Sequence, residues 1–236
     1  MPELRVKLIQ RIARTATVES FRFSPESRID FIAGQFLQVI FDPGNKENRD
    51  LNKYLSFSCA PGKEYIEVTK RLSESNFSQK LRELKIDDRV LVKAPMGSCV
   101  FKDEGKKIAF LIGGIGITPV ISIIEYITMN KIKSDVLLLY SNRFEEEIAF
   151  KKELDYWQAA NPDIKICYLV SDGEPKDKAC LHGRIDQGLL KNKASDLAQR
   201  TVFIFGPPKM VEAMQGLTQE AGCAKENIRI EKFIGY

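Results

Sequence analysis

The strongest constraint in this sequence is a change of hydrophobic period near residue 104. Before it, apolar and polar residues alternate over short runs. Leu4, Val6 and Leu8 are interleaved with Arg5 and Lys7, and Tyr65-Ile66-Glu67-Val68-Thr69 and Val90-Leu91-Val92 continue the series of short strands. Residues 36–41 (FLQVIF) read as a strand apolar on both faces. Ser24-Pro25, Asp42-Pro43-Gly44-Asn45 and Pro61-Gly62 separate these runs as turns. Many short strands divided by turns predict a small barrel or sandwich. One helix interrupts it at 76–84, where Phe77, Leu81 and Leu84 fall at helical spacing.

After Asp103-Glu104-Gly105 the pattern becomes alternating strand and helix. Residues 107–112 (KIAFLI) form the near-continuous apolar run expected of a strand covered on both faces of a parallel sheet. A helix is predicted from 118 to about 130, then a strand at 136–140, a helix at 145–160 and a strand at 164–170. A strand at 201–205, a helix at 207–221 and a strand at 228–234 close the chain. This alternation predicts right-handed crossovers and an α/β doubly wound parallel sheet. The domains are expected at 1–103 and 104–236, and 236 residues with 44% hydrophobic content suffice for two cores.

Charge and residue counts narrow the function classes. The 36 basic and 32 acidic residues give a mild excess of +4 spread along the chain, not the concentrated stripe of a nucleic-acid binder. Such an excess suits an acidic redox partner. No stretch approaches the roughly 20 apolar residues of a membrane span, and MPELRVKLIQ lacks a secretory apolar block, so a cytoplasmic location is expected. Cys59, Cys99, Cys167, Cys180 and Cys223 have no cluster or metal spacing and read as free thiols. His182 is the single histidine, which leaves little room for a histidine triad or a multi-histidine metal site.

The sharpest local signal is Gly113-Gly114-Ile115-Gly116-Ile117-Thr118-Pro119, between a buried strand and a helix. Glycines permit positive φ and close backbone approach. Thr118 suits an N-cap and Pro119 the first helical position. A helix start of this kind offers free N–H groups to an anion such as a dinucleotide pyrophosphate. The alternative is a turn that only permits tight strand–helix packing. Phe205-Gly206-Pro207-Pro208-Lys209-Met210 repeats the arrangement, so two turns at one sheet edge could clamp an extended ligand; Met210 also fits a core position.

With these motifs in this order, the chain resembles the ferredoxin–NADP reductase-like flavoproteins over nearly its whole length. The resemblance implies an N-terminal antiparallel six-stranded β-barrel that binds FAD and a C-terminal α/β domain that binds NADH or NADPH. Gly113, Gly114, Gly116, Thr118 and Pro119 match the family's turn for the nucleotide pyrophosphate. Gly206, Pro207 and Met210 match its segment beside the nicotinamide, with Phe205 where many relatives carry cysteine. Lys53-Tyr54-Leu55-Ser56 stands in place of R-x-Y-S. Ser56 is then implied near the flavin N5 and Lys53 at the FAD pyrophosphate. Leu55 occupies the usual stacking position, so either Leu55 covers the ring or Tyr54 stacks instead. Val68, Thr69 and Lys70 resemble the next flavin-contacting strand. Ser75, Asn76 and Ser78 resemble the start of the barrel helix, with Ser75 replacing glycine or serving as a plain N-cap. Ser141, Asn142 and Arg143 are implied at the adenosine ribose. Glu231 and Tyr236 resemble the C-terminal catalytic segment, Tyr236 as an aromatic gate. The family implies hydride transfer where nicotinamide and flavin rings meet, and delivery to a ferredoxin, flavodoxin or oxygenase component. A reductase of free flavin or other small acceptors, and an electron-transfer subunit of a larger complex, are the alternatives.

Overall fold

The computed structural model describes residues 3–102 and 107–233. Two compact units are present, residues 1–101 with 118–126, and residues 102–117 with 127–236. The domain boundary expected between 103 and 104 lies outside the described residues.

The first unit contains β1 (Glu3–Ala13), β2 (Val18–Pro25), β3 (Phe36–Ile40), β4 (Asn52–Ser56), β5 (Ile66–Arg71), α1 (Asn76–Glu83) and β6 (Arg89–Met96). Its antiparallel sheet runs β4-β3-β6-β1-β2-β5. An antiparallel bridge between Phe57 and Val68, with Ser58 N donating to the Glu67 carbonyl at 2.8 Å, joins the two edges and closes the expected barrel. Because strand side chains alternate faces, Leu8, Phe21, Leu37, Leu55, Val68 and Val92 converge on one core. α1 adds Phe77 and Leu81 to that core, and the Ser75 hydroxyl caps it by accepting from Ser78 N.

The second sheet consists of β7 (Lys107–Gly113), β8 (Asp135–Asn142), β9 (Ile164–Val170), β10 (Cys180–His182), β11 (Thr201–Gly206) and β12 (Ile228–Lys232). Its helices are α2 (Thr118–Met129), α3 (Lys151–Ala160), α4 (Gln187–Lys193) and α5 (Pro208–Glu220). Residues 118–126 of α2 pack within the first unit, where Glu125 accepts from Ala60 N at 2.7 Å and pairs with Lys63. The parallel sheet runs β10-β9-β8-β7-β11-β12. From β7 the chain steps outward through β8, β9 and β10, then returns to the opposite flank of β7 as β11. The order therefore reverses at β7, and its carboxyl end is the switch point where open α/β sheets bind ligands.

One helix differs from expectation. Residues 145–160 do not form a continuous helix. Glu145–Glu147 make a 3-10 turn and α3 starts only at Lys151, because Phe150 takes a left-handed conformation (φ 61) that a helix cannot contain. That break buries Ile148, Ala149 and Phe150 together. β10 and α4 occupy a stretch for which the sequence predicts no element. No helix among the described residues is long and apolar enough to cross a membrane.

Candidate functional site

On the barrel, β3 and β4 pair Leu37 with Leu55, Val39 with Lys53, and Gln38 with Tyr54. Leu37 and Val39 are core residues, so Leu55 and Lys53 lie on the inward side and Tyr54 and Ser56 on the outward side. Leu55 is indeed packed in the core, whereas Tyr54 is 61% exposed and meets Phe36 edge-on at 5.7 Å. Ser56 is buried beside Phe36 in the register. Val68 is fully buried in the core. The Thr69 hydroxyl is engaged by Ser20 at 2.6 Å and Ser58 at 2.7 Å. Lys70, on the same inward face as Val68, is buried; burial first and the Lys53 charge second lower its pKa to about 8. Ser73, Ser75 and Ser78 form a hydroxyl cluster at the start of α1, with Asn76 the first helical residue.

In the second unit the two glycine turns meet. Gly113 ends β7, and Gly114 takes a left-handed φ of 52 in the 3-10 turn Gly114–Ile117 that leads into Thr118 and Pro119 of α2. A Cβ on Gly116 would overlap the Phe205 carbonyl oxygen and stand 2.7 Å from its carbon and 3.0 Å from Gly206 N. Gly206 ends β11, and a Cβ there would lie 3.5 Å from the Gly113 carbonyl oxygen. Met210, in the first turn of α5 behind Pro207, packs its thioether against both Gly113 and Gly206 while also joining the sheet core. The core position expected for Met210 is thus observed.

Two buried polar groups flank these turns. Glu231 pairs with Phe205 across β12 and β11, and Phe205 with Ile112 of β7, so the three side chains share one face of the sheet. The Glu231 Oε2 is buried with no hydrogen-bond partner among the described residues, and burial pushes its pKa up to about 7. At the end of β8, Ser141 pairs with Gly113. Both polar atoms of the adjacent Asn142 amide are buried without a partner among the described residues. Arg143 is exposed, donates to Asp172 at 3.0 Å and lies over the Phe144 ring. Tyr236 lies outside the described residues.

Residues 3–101 match the oxidoreductase FAD-binding domain family and residues 110–216 the oxidoreductase NAD-binding domain family. The chain belongs to the ferredoxin–NADP reductase-like flavoproteins. NADH-cytochrome b5 reductase 1 of Mortierella alpina is 26% identical over 229 residues, spanning 94% of this chain and 76% of that protein. Two solved structures share the fold. The FAD/NAD-binding domain of a nitric oxide dioxygenase from Vibrio cholerae has a TM-score of 0.85 at 20% identity, covering 98% of both chains. A ferredoxin NADP+ reductase from Neisseria gonorrhoeae with bound FAD and NADP has a TM-score of 0.83 at 21% identity, covering 98% of this chain and 99% of that one.

The chain is accordingly an NAD(P)H-dependent flavoprotein reductase that uses FAD. Its residues fit both groups. The Lys53 charge acts on the buried Lys70, so two cations lie close together on the barrel as an anionic group requires, and the residue after Lys53 presents an exposed aromatic ring. At the joined turns a Cβ on Gly113 would overlap the Met210 thioether and one on Gly116 the Phe205 carbonyl, so the close approach of the two turns requires glycine. Among the described residues no group of three or more His, Cys, Asp or Glu side chains could hold a metal ion. Asp172, Glu145 and the Arg14–Glu67–Arg22 network are absent from the sequence reading of the reductase. Glu67 is 2% exposed and takes Arg22 at 2.6 Å and Arg14 at 3.1 Å, from residues 45 and 53 positions away. No local signal announces a pairing at such separation.

Proposed function

We propose that this reductase takes reducing equivalents from NADH and delivers electrons to a small redox protein such as a ferredoxin, a flavodoxin or an oxygenase component. The observation that carries the nucleotide half of this reading is the union of the two glycine turns at the switch point. The protein acceptor is supported by relatives named for cytochrome b5 and ferredoxin and by the positive net charge. FAD, when bound, would supply the hydride and electron-transfer chemistry.

The chain's own residues bind, orient and hold protons. Lys53 and Lys70 neutralise the FAD phosphates, assisted by the capped start of α1 at Ser75, Asn76 and Ser78. Tyr54 provides the outward aromatic surface for the flavin ring, and the Ser56 hydroxyl orients it. Val68 and Thr69 contribute backbone groups, since their side chains are already packed or bonded. Gly113, Gly114, Gly116, Thr118 and Pro119 receive the nucleotide pyrophosphate. Gly206, Pro207 and Met210 shape the nicotinamide end. Ser141 and the Asn142 amide bind the adenosine ribose, and Glu231 holds a proton beside Phe205.

The Tyr54 assignment separates cleanly from its neighbour's. Tyr54→Ala is expected to weaken FAD binding roughly tenfold, about 1.4 kcal/mol, as loss of an aromatic platform does. Leu55→Ala is expected to destabilise the barrel by about 2–4 kcal/mol through a core cavity, with the flavin absorbance spectrum of the folded protein unchanged. FAD titration by fluorescence and urea unfolding of both variants decide the matter; a spectral change confined to Leu55→Ala reverses the assignment.

The adenosine end favours NADH. Arg143 is a basic side chain implied at a 2′-phosphate, but it is already paired with Asp172, whose carboxyl Arg143 and Ser171 hold below its usual range with Arg184 adding to the effect. Glu145, Glu146 and Glu147 follow after Phe144. A 2′-phosphate carries about −1.5 to −2 charges and would have to displace that carboxylate. Asp172→Asn is expected to improve kcat/KM for NADPH roughly tenfold while NADH turnover changes little.

Anaerobic titration of the FAD-loaded protein with NADH and NADPH separately, following flavin bleaching, tests the cofactor, the hydride step and the preference together. Protein that fails to take up FAD would sink the reading. Saturable turnover of free FMN with no stimulation by ferredoxin, flavodoxin or cytochrome b5 would replace the protein acceptor with a small-molecule one.

A further inference from the structure

The segment that carries Asp172 is held from a distance. Residues 171–179 join β9 to β10. Their start is fixed by the β8 end: Ser171 N donates to the Asn142 carbonyl at 2.9 Å and Asp172 N to the Arg143 carbonyl at 2.8 Å. The chain turns at Gly173 (φ 81), and Gly173, Glu174, Lys176, Lys178 and Ala179 are exposed. With few apolar contacts, the far side of this loop depends on polar ties.

Those ties come from the connection between β8 and α3. One Glu145 carboxylate oxygen accepts from two successive backbone amides, Lys176 N at 2.7 Å and Asp177 N at 3.2 Å. The Asp177 carboxylate meets Lys151 at 2.9 Å, at the start of α3. Lys151 also pairs with Asp155 at 2.8 Å and lies over the Tyr168 ring, whose hydroxyl donates to Asp155 at 2.7 Å. The acidic run Glu145-Glu146-Glu147 thus includes one side chain spent on a clamp. Hydrogen bonds from backbone N–H groups to a carboxylate are among the stronger ones available to a loop. Glu145 reaches the loop from the 3-10 turn that precedes α3.

We propose that Glu145 is a positioning residue: by gripping the Lys176 and Asp177 amides it keeps the 171–179 loop where Asp172 engages Arg143, and so sets the discrimination against a 2′-phosphate. The proposal rests on the NADH reading above. Glu145 acts through Asp172 and need not touch the nucleotide. Lys151 secures the same loop from its other side.

The test is steady-state kinetics of the FAD-loaded protein with NADH and with NADPH, using ferricyanide as acceptor, for wild type, Glu145→Ala, Glu145→Gln and Lys151→Met. In Glu145→Ala the KM preference for NADH falls roughly three- to tenfold, as for loss of charge-assisted hydrogen bonds, with kcat at saturating NADH unchanged. Glu145→Gln, whose carbonyl oxygen still accepts from the two amides, keeps most of the preference. Lys151→Met shifts it in the same direction as Glu145→Ala, and carries the test should Glu145→Ala fail to fold. Trypsin cleavage after Lys176 or Lys178 accelerates in both loosened variants. An unchanged KM ratio in folded Glu145→Ala and Lys151→Met overturns the positioning role and leaves the NADH preference standing. A wild type that prefers NADPH overturns the NADH reading and the proposal with it. An equal fall of kcat with both nucleotides reduces the clamp to a structural tie and also overturns it.

Discussion

Gly116→Ala is expected to lower NADH-dependent reduction by roughly a hundredfold or more while leaving FAD content unchanged, the scale of loss that follows small misplacements of a reacting group. The reason is what surrounds the glycine. The three atoms nearest a Cβ at Gly116 are all backbone: the Phe205 carbonyl oxygen, its carbon at 2.7 Å and Gly206 N at 3.0 Å. These atoms cannot rotate away as a side chain would, so the turn after β7 and the turn after β11 must separate, and under the proposed function the nucleotide site is disrupted with them. Gly113→Ala is the informative contrast. There the added Cβ runs into the Met210 thioether, with its methyl at 3.1 Å, and methionine is unbranched and adaptable. Its loss should be smaller, and Met210→Ala in the same chain should restore much of it; no second side-chain change can rescue Gly116→Ala. The flavin-to-protein absorbance ratio monitors the FAD-binding barrel, and KM for NADH monitors the turns. A Gly116→Ala protein with near wild-type KM would break the link between this backbone contact and nucleotide binding.

The glycine turns were legible in the sequence because their signals are local. Gly113, Gly116 and Gly206 sit directly after apolar runs, and Pro119 and Pro208 mark helix starts whatever the rest of the chain does. That the two turns meet follows from the sheet order, which the alternation of strand and helix predicts in kind. The facing of β4 is different. Residues 54–58 carry apolar or small side chains at consecutive positions, so alternation cannot say whether Tyr54 or Leu55 points outward; the pairing with Leu37 and Val39 decides it. The interrupted helix at Phe150 was hidden for a related reason. Glu145, Glu146 and Glu147 are good helix formers, and the left-handed Phe150 that separates them from α3 leaves no mark in the residue pattern. β10 is a three-residue strand defined by its partner β9 more than by its own sequence. Pairings set by tertiary contact, such as Arg143 with Asp172, leave no trace in spacing.

The second large effect concerns pH. Glu231→Gln is expected to remove a fall in stability that the wild type shows as pH rises from about 4.5 to about 7, an effect of up to about 3 kcal/mol. The buried Glu231 carboxyl is raised from its ordinary value to about 7, with desolvation as the cause. Between those two values the native state retains a proton that the unfolded chain has released. The unfolded state therefore binds fewer protons, and unfolding becomes easier with increasing pH until both states are ionised. Above about pH 7 the full penalty of a buried carboxylate is present, and a neutral amide avoids it. Phe205 sharpens the effect: it faces Glu231 across the β11–β12 pair and offers no donor. Phe205→Cys, which adds a weak S–H donor, should move the transition in Glu231 downward. The same group bears on turnover. Under the proposed function, a side chain that exchanges its proton near neutrality beside the turn after β11 can hold or give up a proton during reduction, as a carboxyl of ordinary pKa could not. Urea midpoints at several pH values between about 5 and 8, and the kcat profile over the same range, read the two consequences separately. If wild type and Glu231→Gln show parallel stability curves, the raised carboxyl is not the source of the slope; if only the kinetic limb near neutrality persists in Glu231→Gln, the proton belongs to another group.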